Sequence, residues 1–220
     1  LIAESSNPTV GVLAHPGQVD IRIAAKASST EEAMEMIAPI EAEINGLLGS
    51  HVFAYDEETI EMIVGNLLLK RSLSVSVFEN ASGGTLANRL VKASPSQFDA
   101  GLIGCSEKVA KTLVANYSQF DKDSIGNMPP EQLTRELAKS IQQYGESDLG
   151  LALYAVLDGN ESKIVQNLGK GQTYIAITDG SRYKERTYPF AGRGAPDQNR
   201  MSFNGMELLR MALLDGFQSS

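Results

Sequence analysis

The stretch SVSVFENASGG, from Ser74 to Gly84, decides how this chain is organised. Serine alternates with valine in its first half, a pattern typical of a strand with one buried face. The glycine pair at its end permits a tight turn, and residues 85 to 92 then carry apolar side chains at helical spacing. A strand that enters a helix through small residues leaves backbone N–H groups at the helix start. Such groups favour a bound anion or a developing oxyanion.

The composition of the whole chain is that of an ordinary globular protein. Its 220 residues are 42% hydrophobic and 21% charged, which suits one sizeable domain with a small appendage. No apolar run is long enough for a membrane span. The formal net charge of −8 argues against a nucleic-acid or anionic-membrane surface, because those surfaces need clustered Lys and Arg. The net charge does not exclude a small-molecule ligand.

The cysteine and histidine content limits the chemistry further. Cys105 is the only cysteine, so no intrachain disulfide forms, which suits a reducing compartment and predicts a cytoplasmic protein. His15 and His51 stand alone, without the spacing of metal ligands. We therefore predict no metal and no cofactor.

The first 54 residues are predicted to form a small α+β domain. Two alternating runs flank a His-Pro-Gly turn and indicate a hairpin. Thr30 is the expected N-cap of a helix that runs to Gly46 and is kinked at Pro39. His51 to Ala54 is expected to return as a third strand.

From residue 55 onward, strands and helices alternate. This alternation predicts an α/β sandwich with a mixed sheet. The predicted elements after the Ser74–Gly84 stretch are strands at Phe98–Gly104, Leu149–Leu157, Gln172–Thr178 and Tyr183–Phe190, and helices from Glu107, over Pro130–Tyr144 and over Met201–Leu214. A helix that opens at Asp56–Thr59 and ends at Arg71 precedes the stretch.

Phe78 to Gly84 resembles the Ala-Glu-Ser-(Cys/Leu)-Thr-Gly-Gly signature of the CinA family's C-terminal domain. Ser6–Val10 and His15–Ile23 resemble the KH-like middle domain of the same family. The resemblance implies a KH-like domain over residues 1–54 and a three-layer α/β sandwich over 55–220. It also implies nicotinamide mononucleotide amidohydrolase activity, a homodimer, and a molybdopterin-binding-like domain preceding this region. The chain begins without a methionine, and we expect it to be cut from something longer.

The same resemblance assigns the site residues. Asn80 stands where the family has its nucleophilic serine, and Cys105 stands where it has a tyrosine. The family's lysine falls on Ala110, with Lys111 one residue further along. Ligand contacts are implied at Ser82, Gly83, Gly84, Ser106, Gly171 and Arg200.

Two functions follow from these assignments. In the first, the site has lost its nucleophile and the domain binds or scaffolds, with affinity for a nicotinamide nucleotide or another small anion. In the second, Ser82 or Cys105 acts as a displaced nucleophile with Lys111 as base. The simpler interpretation makes Cys105 a small apolar residue at the end of a buried strand and Lys111 a solvated lysine.

Two further features have simple structural interpretations. Glu79, Asp158 and Asp179 are the acidic residues nearest the predicted loops, and a pair of them offers acid/base chemistry. Turn formation explains Asp158-Gly159 and Asp179-Gly180 equally well. Gly46-Leu47-Leu48-Gly49 is interpreted as a helix C-terminus and not an RNA-binding loop, because the helix before it is acidic.

Overall fold

The computed structural model describes residues 7–158 and 169–215 and divides the chain into two compact units, Leu1–Glu57 and Glu58–Ser220. Charge is distributed unevenly between them. Residues 1–57 contain two basic and nine acidic residues, a formal net charge of −7, which leaves −1 on residues 58–220. None of the described helices combines the length and the apolar character needed to cross a bilayer.

The first unit is a hairpin followed by a helix. Strands β1 (Thr9–Ala14) and β2 (Val19–Ala24) pair antiparallel, and α1 follows over Thr30–Leu48. None of the described side chains of this unit is buried. A hairpin with one helix is too small to enclose a core, since independent stability needs more strands or more cover.

Three predictions for this unit differ from the structure. The N-cap of α1 is Ser29, whose hydroxyl accepts the N–H of Glu32, and Thr30 is already helical. No strand forms at His51–Ala54, because a short 3₁₀ turn occupies Gly49–His51 and irregular chain follows. The helix also continues through Pro39 and past Gly46.

The second unit contains a five-stranded mixed sheet. Strand β3 (Val75–Glu79) lies between β4 (Phe98–Ile103) and β5 (Leu149–Leu157) and is parallel to both. Strands β6 (Gly171–Thr178) and β7 (Tyr183–Phe190) extend the sheet antiparallel from β5, so the order is β4-β3-β5-β6-β7. The predicted bounds of β5 and β7 are confirmed.

Helices cover both faces of the sheet and make the fold a three-layer α/β sandwich, as predicted. One layer contains α2 (Ile60–Arg71), α3 (Thr85–Ala93) and α7 (Ala195–Asp215). The other contains α4 (Glu107–Tyr117), α5 (Lys122–Gly126) and α6 (Pro130–Gly145). Helix α7 begins at Ala195, six residues earlier than predicted.

Strand β3 differs from its prediction in burial. All five of its residues are buried, including Ser76, although the alternation of serine and valine predicted one buried face. A parallel strand with a neighbour on each side and helices on both faces is closed to solvent whatever its pattern. The serine hydroxyl costs little volume there, since Gly145 of α6 packs directly against it.

Candidate functional site

The candidate site lies at the carboxyl ends of β3 and β5. After β3 the chain crosses to β4 on one side, and after α4, α5 and α6 it returns to β5 on the other side of β3. Open α/β sheets bind ligands at such a switch point, because the loops there diverge to opposite faces. The turn from Asn80 to Gly84 leaves β3 at this point.

Asn80 is fully engaged in the protein interior. Its Nδ2 donates to the carbonyl of Ala155 (2.9 Å), and its Oδ1 accepts the N–H of Ala155 (2.8 Å) and of Ala81 (2.6 Å). Only 2% of the residue is exposed. The side chain thus behaves like one more peptide group between β3 and β5, with both of its polar atoms hydrogen-bonded to the backbone.

Glu79 caps helix α3 from inside the fold. Its Oε2 accepts the Ser82 hydroxyl (2.5 Å) and the N–H of Leu86 (3.1 Å), while its Oε1 accepts the N–H of Ala87 (2.8 Å). Carboxylates are stabilised at helix N-termini by these N–H groups and by the helix dipole. The expectation that this helix start offers free N–H groups to an anion is therefore wrong for its first turn.

The glycine pair forms the exposed corner of the site. Gly83 and Gly84 have φ angles of 65° and 93°, so the backbone needs glycine here. Among the described residues, no hydrogen-bond acceptor is found for their N–H groups. Gln198 of α7 borders this corner, and its Nε2 donates to the carbonyl of Ala81 (3.1 Å). The groups that this turn offers to a ligand are the backbone N–H groups of Gly83 and Gly84 and the amide side chain of Gln198.

Asp197 holds the loop that leads into α7. The carboxylate is buried and accepts the N–H groups of Ala191 (3.2 Å) and Arg193 (2.7 Å), and it pairs with the Arg193 guanidinium (2.9 Å). Burial raises the pKa of Asp197, but the hydrogen bonds from Arg193 outweigh it and leave this pKa below its ordinary value. The carboxylate is thus a structural anchor next to Gln198.

Cys105 and Ser106 connect β4 to α4. The thiol is exposed, because β4 is an edge strand, so the interpretation of Cys105 as a residue of a buried strand is wrong. Gly104 donates to the carbonyl of Glu79 (2.8 Å), which places this junction next to the end of β3. Ser106 is the exposed N-cap of α4, without a side-chain cap hydrogen bond.

Lys111 is paired on the helix surface. Its ammonium group binds the carboxylate of Glu107 (2.6 Å), four residues earlier, and donates to the carbonyl of Gly126 (3.4 Å). Glu107 also acts on Tyr154 of β5. Burial first, and then this carboxylate, raise the pKa of Tyr154 to about 12, so the phenol stays protonated at neutral pH. The described contacts give Lys111 the role of a surface ion-pair residue.

Gly171 and Arg200 have different environments. Gly171 is buried, and a Cβ there would lie 2.1 Å from the carbonyl oxygen of Val156 and 2.6 Å from the Phe190 ring, so packing accounts for this glycine. Arg200 is half-buried on α7, and no hydrogen-bond or ion-pair partner of its guanidinium is found among the described residues. Its ligand role stays a prediction.

The acidic residues do not form a catalytic pair. Asp179 lies in the β6–β7 turn, level with the amino end of β5, whereas Glu79 is at the carboxyl end of β3, and Asp179 accepts hydrogen bonds from Ser181 and Arg182. Asp158 is exposed at the end of β5, and Gly159 lies outside the described residues. Within residues 7–158 and 169–215, no group of His, Cys, Asp and Glu side chains is arranged to hold a metal ion.

Sequence reasoning missed Gln198 and Asp197. Both lie in the first turns of α7, whose start was predicted at Met201. Pro196 after Gly194 is a helix-start signal that would have moved this boundary.

The first unit matches a family model. The model is described as the damage-inducible protein CinA KH domain, and it matches residues 1–54.

Curated relatives match almost the whole chain. A competence-damage inducible protein of Caldanaerobacter subterraneus is 35% identical over 217 residues, which is 96% of this chain and 51% of the relative. A CinA-like protein of Dictyoglomus turgidum is 30% identical over 98% of this chain and 52% of the relative. The chain therefore spans about half the length of the curated relatives it matches.

Solved structures share the fold over most of the chain. A CinA superfamily protein of Klebsiella pneumoniae has a TM-score of 0.57 at 16% identity and covers 71% of this chain and 96% of its own. The competence/damage inducible protein CihA of Agrobacterium tumefaciens has a TM-score of 0.54 at 16% identity, with 73% and 98% covered.

Proposed function

Because the chain belongs to the CinA family, we propose that its C-terminal domain, residues 55–220, is a binding or scaffolding domain in which the family's amidohydrolase site no longer hydrolyses a carboxamide. The observation that supports this most directly is Asn80. The residue at the nucleophile position is buried and its amide is hydrogen-bonded to the backbone of Ala155. A side chain held in this way has no lone pair available for attack.

The neighbouring positions support the same conclusion. Deamidation of nicotinamide mononucleotide needs a nucleophile that attacks the carboxamide carbon and a group that protonates the departing ammonia. Cys105 replaces the tyrosine implied by the resemblance, and Lys111 is occupied by Glu107 and Gly126. Asn80, Cys105 and Lys111, the three residues at the implied catalytic positions, therefore supply neither a free nucleophile nor a free base.

An active enzyme with Ser82 as nucleophile is the alternative, and one contact favours it. The Ser82 hydroxyl donates to Glu79 at 2.5 Å, as a nucleophile donates to its base. However, Ser82 is only 1% exposed, and the same carboxylate oxygen also accepts the N–H of Leu86. The hydrogen bond between Ser82 and Glu79 therefore stabilises the turn, and a substrate cannot reach the Ser82 hydroxyl.

Ammonia release from nicotinamide mononucleotide separates the two functions. We expect no release above background from the chain as it is, or from its Asn80→Ser variant, because groups that act as a unit are not recovered one at a time. Turnover that disappears in a Ser82→Ala variant would establish the alternative. Turnover of Asn80→Ser alone would show that a base is already in place.

The proposed partners follow from the resemblance to the CinA family. We propose that the protein acts in the cytoplasm as a homodimer, that a molybdopterin-binding-like domain accompanies this region in the complete protein, and that residues 1–54 form its KH-like domain. The ligand of the C-terminal domain is proposed to be a nicotinamide nucleotide or another small anion. Of the contacts implied by the resemblance, Gly83, Gly84, Ser106 and Arg200 remain open to it.

A further inference from the structure

A cavity of about 320 Å³ lies between α6 and the strands β6 and β7. Tyr174 of β6 lies opposite Tyr154 of β5, which packs with α6 in the core, so Tyr174 is on the α6 face of the sheet. Thr187 of β7 lies opposite Tyr174 and forms the cavity floor with it. Glu131 and Arg135, from the first two turns of α6, form the wall. The volume of this α6 cavity is in the range of small-molecule sites.

The α6 cavity is separate from the candidate site. Phe78 of β3 belongs to the same core cluster as Tyr154 and the buried residues of α6. The next residue, Glu79, therefore faces the other layer, where it caps α3, and the turn with Gly83 and Gly84 continues from it. None of the residues that line the cavity is one that the family resemblance assigns.

One ion pair is complete within the cavity. The Arg135 guanidinium binds both oxygens of the Glu185 carboxylate, with 2.7 Å from Nε to Oε1 and 2.7 Å from Nη2 to Oε2. Arg186 borders the cavity and donates to the carbonyl of Glu185 (3.2 Å). Such bidentate pairs are strong and geometrically specific. Among the described ion pairs, Arg135 therefore has Glu185 as its partner and not Glu131.

Two polar groups of the cavity lack a partner in the described part of the chain. There, the Glu131 carboxylate accepts no hydrogen bond and forms no ion pair, and the Tyr174 phenol makes no hydrogen bond. Burial first, and then the carboxylates of Glu131 and Asp158, raise the pKa of Tyr174 above its ordinary value. Both of these charges are negative, so this end of the cavity attracts a cation.

We propose that the α6 cavity binds a small organic cation with a primary ammonium group, such as an aliphatic diamine. An ammonium group has three donors, and the cavity offers it the Glu131 carboxylate, the Tyr174 phenol oxygen and the Thr187 hydroxyl as acceptors. The Tyr174 ring also attracts a cation. A metal ion is a poorer occupant, because within the described residues no group of His, Cys, Asp and Glu side chains is arranged to hold one.

Cadaverine and glutarate test the charge of the ligand, because both are five-carbon chains and their end groups have opposite charges. Isothermal titration calorimetry at low salt should give a dissociation constant of about 1 mM or below for cadaverine, and binding of glutarate at least about tenfold weaker. During the cadaverine titration, the amide chemical shifts of Glu131, Tyr174 and Thr187 should move. Those of Gly83 and Gly84 should not.

Glu131→Gln and Glu146→Gln are matched variants at the two ends of α6. Both side chains are exposed, and each variant removes one negative charge, so non-specific attraction of a diamine to the acidic chain changes equally. Glu131→Gln should weaken cadaverine binding about tenfold, because a hydrogen bond to a charged group is lost. Tyr174→Phe should weaken it about threefold. Glu146→Gln should leave it unchanged.

Four results would overturn the proposal. They are an unmodified chain that does not bind cadaverine or binds glutarate equally well, an unchanged affinity in Glu131→Gln, an equal loss in Glu146→Gln, and cadaverine shifts that leave out Glu131, Tyr174 and Thr187. A Glu131 that serves only the dipole of α6 would give the second of these results, with a small loss of stability.

Discussion

The side chain of Asn80 and the backbone of Ala155 exchange two hydrogen bonds, 2.9 Å from Nδ2 to the carbonyl oxygen and 2.8 Å from the N–H to Oδ1. The two residues are 75 positions apart in the chain. The amide therefore closes the gap between β3 and β5 at the point where parallel strands usually diverge to admit a ligand. A serine at this position is too short to make the same pair of bonds.

Replacing Asn80 should lower stability far more than it changes chemistry. Asn80→Ala leaves the buried N–H and C=O of Ala155 without partners, and we expect it to lower the free energy of unfolding by about 2–4 kcal/mol. Urea unfolding measures the effect. Asn88→Ala on the exposed face of α3 is the matched control and should change stability by less than about 0.5 kcal/mol. Equal effects of the two variants would contradict the structural role of Asn80.

Glu79 should prove to be the N-terminal cap of α3. Glu79→Gln keeps the size of the side chain, but it removes the charge and replaces one acceptor oxygen with a donor nitrogen. We expect a loss of about 1–3 kcal/mol in the free energy of unfolding. Glu146→Gln, an exposed position, is the control. A Glu79→Gln protein as stable as the original would show that the three hydrogen bonds to this carboxylate contribute little.

Gly171 should respond as a packing residue. Gly171→Ala puts a methyl group against Val156 and Phe190, and we expect a loss of about 2–4 kcal/mol in thermal or urea unfolding. Gly126→Ala, where a Cβ meets no atom within 4 Å, serves as control. If Gly171→Ala weakened ligand binding without lowering stability, the ligand role implied by the family resemblance would stand instead.

Stability should fall in acid through Asp179. Burial raises the pKa of Asp179, but hydrogen bonds from Arg182 and Ser181 outweigh it and lower this pKa to about 2 from an ordinary value of 3.8. The folded state therefore keeps the carboxylate charged where the unfolded chain takes up a proton. This contribution, about 1–2 kcal/mol, is present above pH 4 and is lost as the pH falls toward 2.

An Asp179→Asn variant tests this contribution directly. Its unfolding free energy should be lower than that of the original chain at pH 7, and the difference between the two proteins should shrink as the pH falls from 4 to 2. A difference that is constant across this window would show that the carboxylate's charge contributes nothing. Circular dichroism in urea at fixed pH values is a sufficient measurement.

Anion binding at the glycine corner should be weak. Glu79 occupies the N–H groups of Leu86 and Ala87, so the donors of Gly83 and Gly84 remain, and we expect dissociation constants in the millimolar range, about 4 kcal/mol. Amide chemical shifts during titration with nicotinamide mononucleotide and with inorganic phosphate measure it. If neither ligand shifts these two amides, the glycines form only a turn.

Gly83→Val should abolish the shifts. The branched side chain would occupy the space where the anion's oxygens approach. Gly180→Val, at another glycine of positive φ in the β6–β7 turn, is the matched control for backbone strain. Asn80→Ala should matter less for binding, because its amide faces Ala155.

Much of the fold was predictable because it depends on local pattern. The nine residues of β5 form a continuous apolar run, and the run has the same bounds in the structure. The failures occur where a neighbour distant in sequence decides. Ser76 is buried by helices that come from other parts of the chain, and His51–Ala54 does not join the two-stranded sheet of β1 and β2. Periodicity carries no information on either.

The position of the site was predictable from the sequence, but the hydrogen bonds that occupy its side chains were not. The sequence placed Asn80, Ser82 and the glycine pair on one strand-to-helix turn, and the structure does the same. It offered no signal that Asn80 binds Ala155, that Glu79 fills the start of α3, or that Gln198 borders Gly83, since these contacts span from 7 to 117 positions. The exposure of Cys105 likewise follows from β4 being at the sheet edge, which is a property of strand order.

The first unit, with no buried side chain among its described residues, has a consequence for any measurement on the whole chain. Amide hydrogens are protected from exchange by the free energy of the local opening that frees them, and a hairpin with one helix supplies little of it. Deuterium should therefore enter residues 7–57 long before it enters the strands of the second unit. The thermal unfolding of the chain would therefore report the second unit almost alone. Substitutions in the hairpin would change the rate of proteolysis and leave the calorimetric transition almost unchanged.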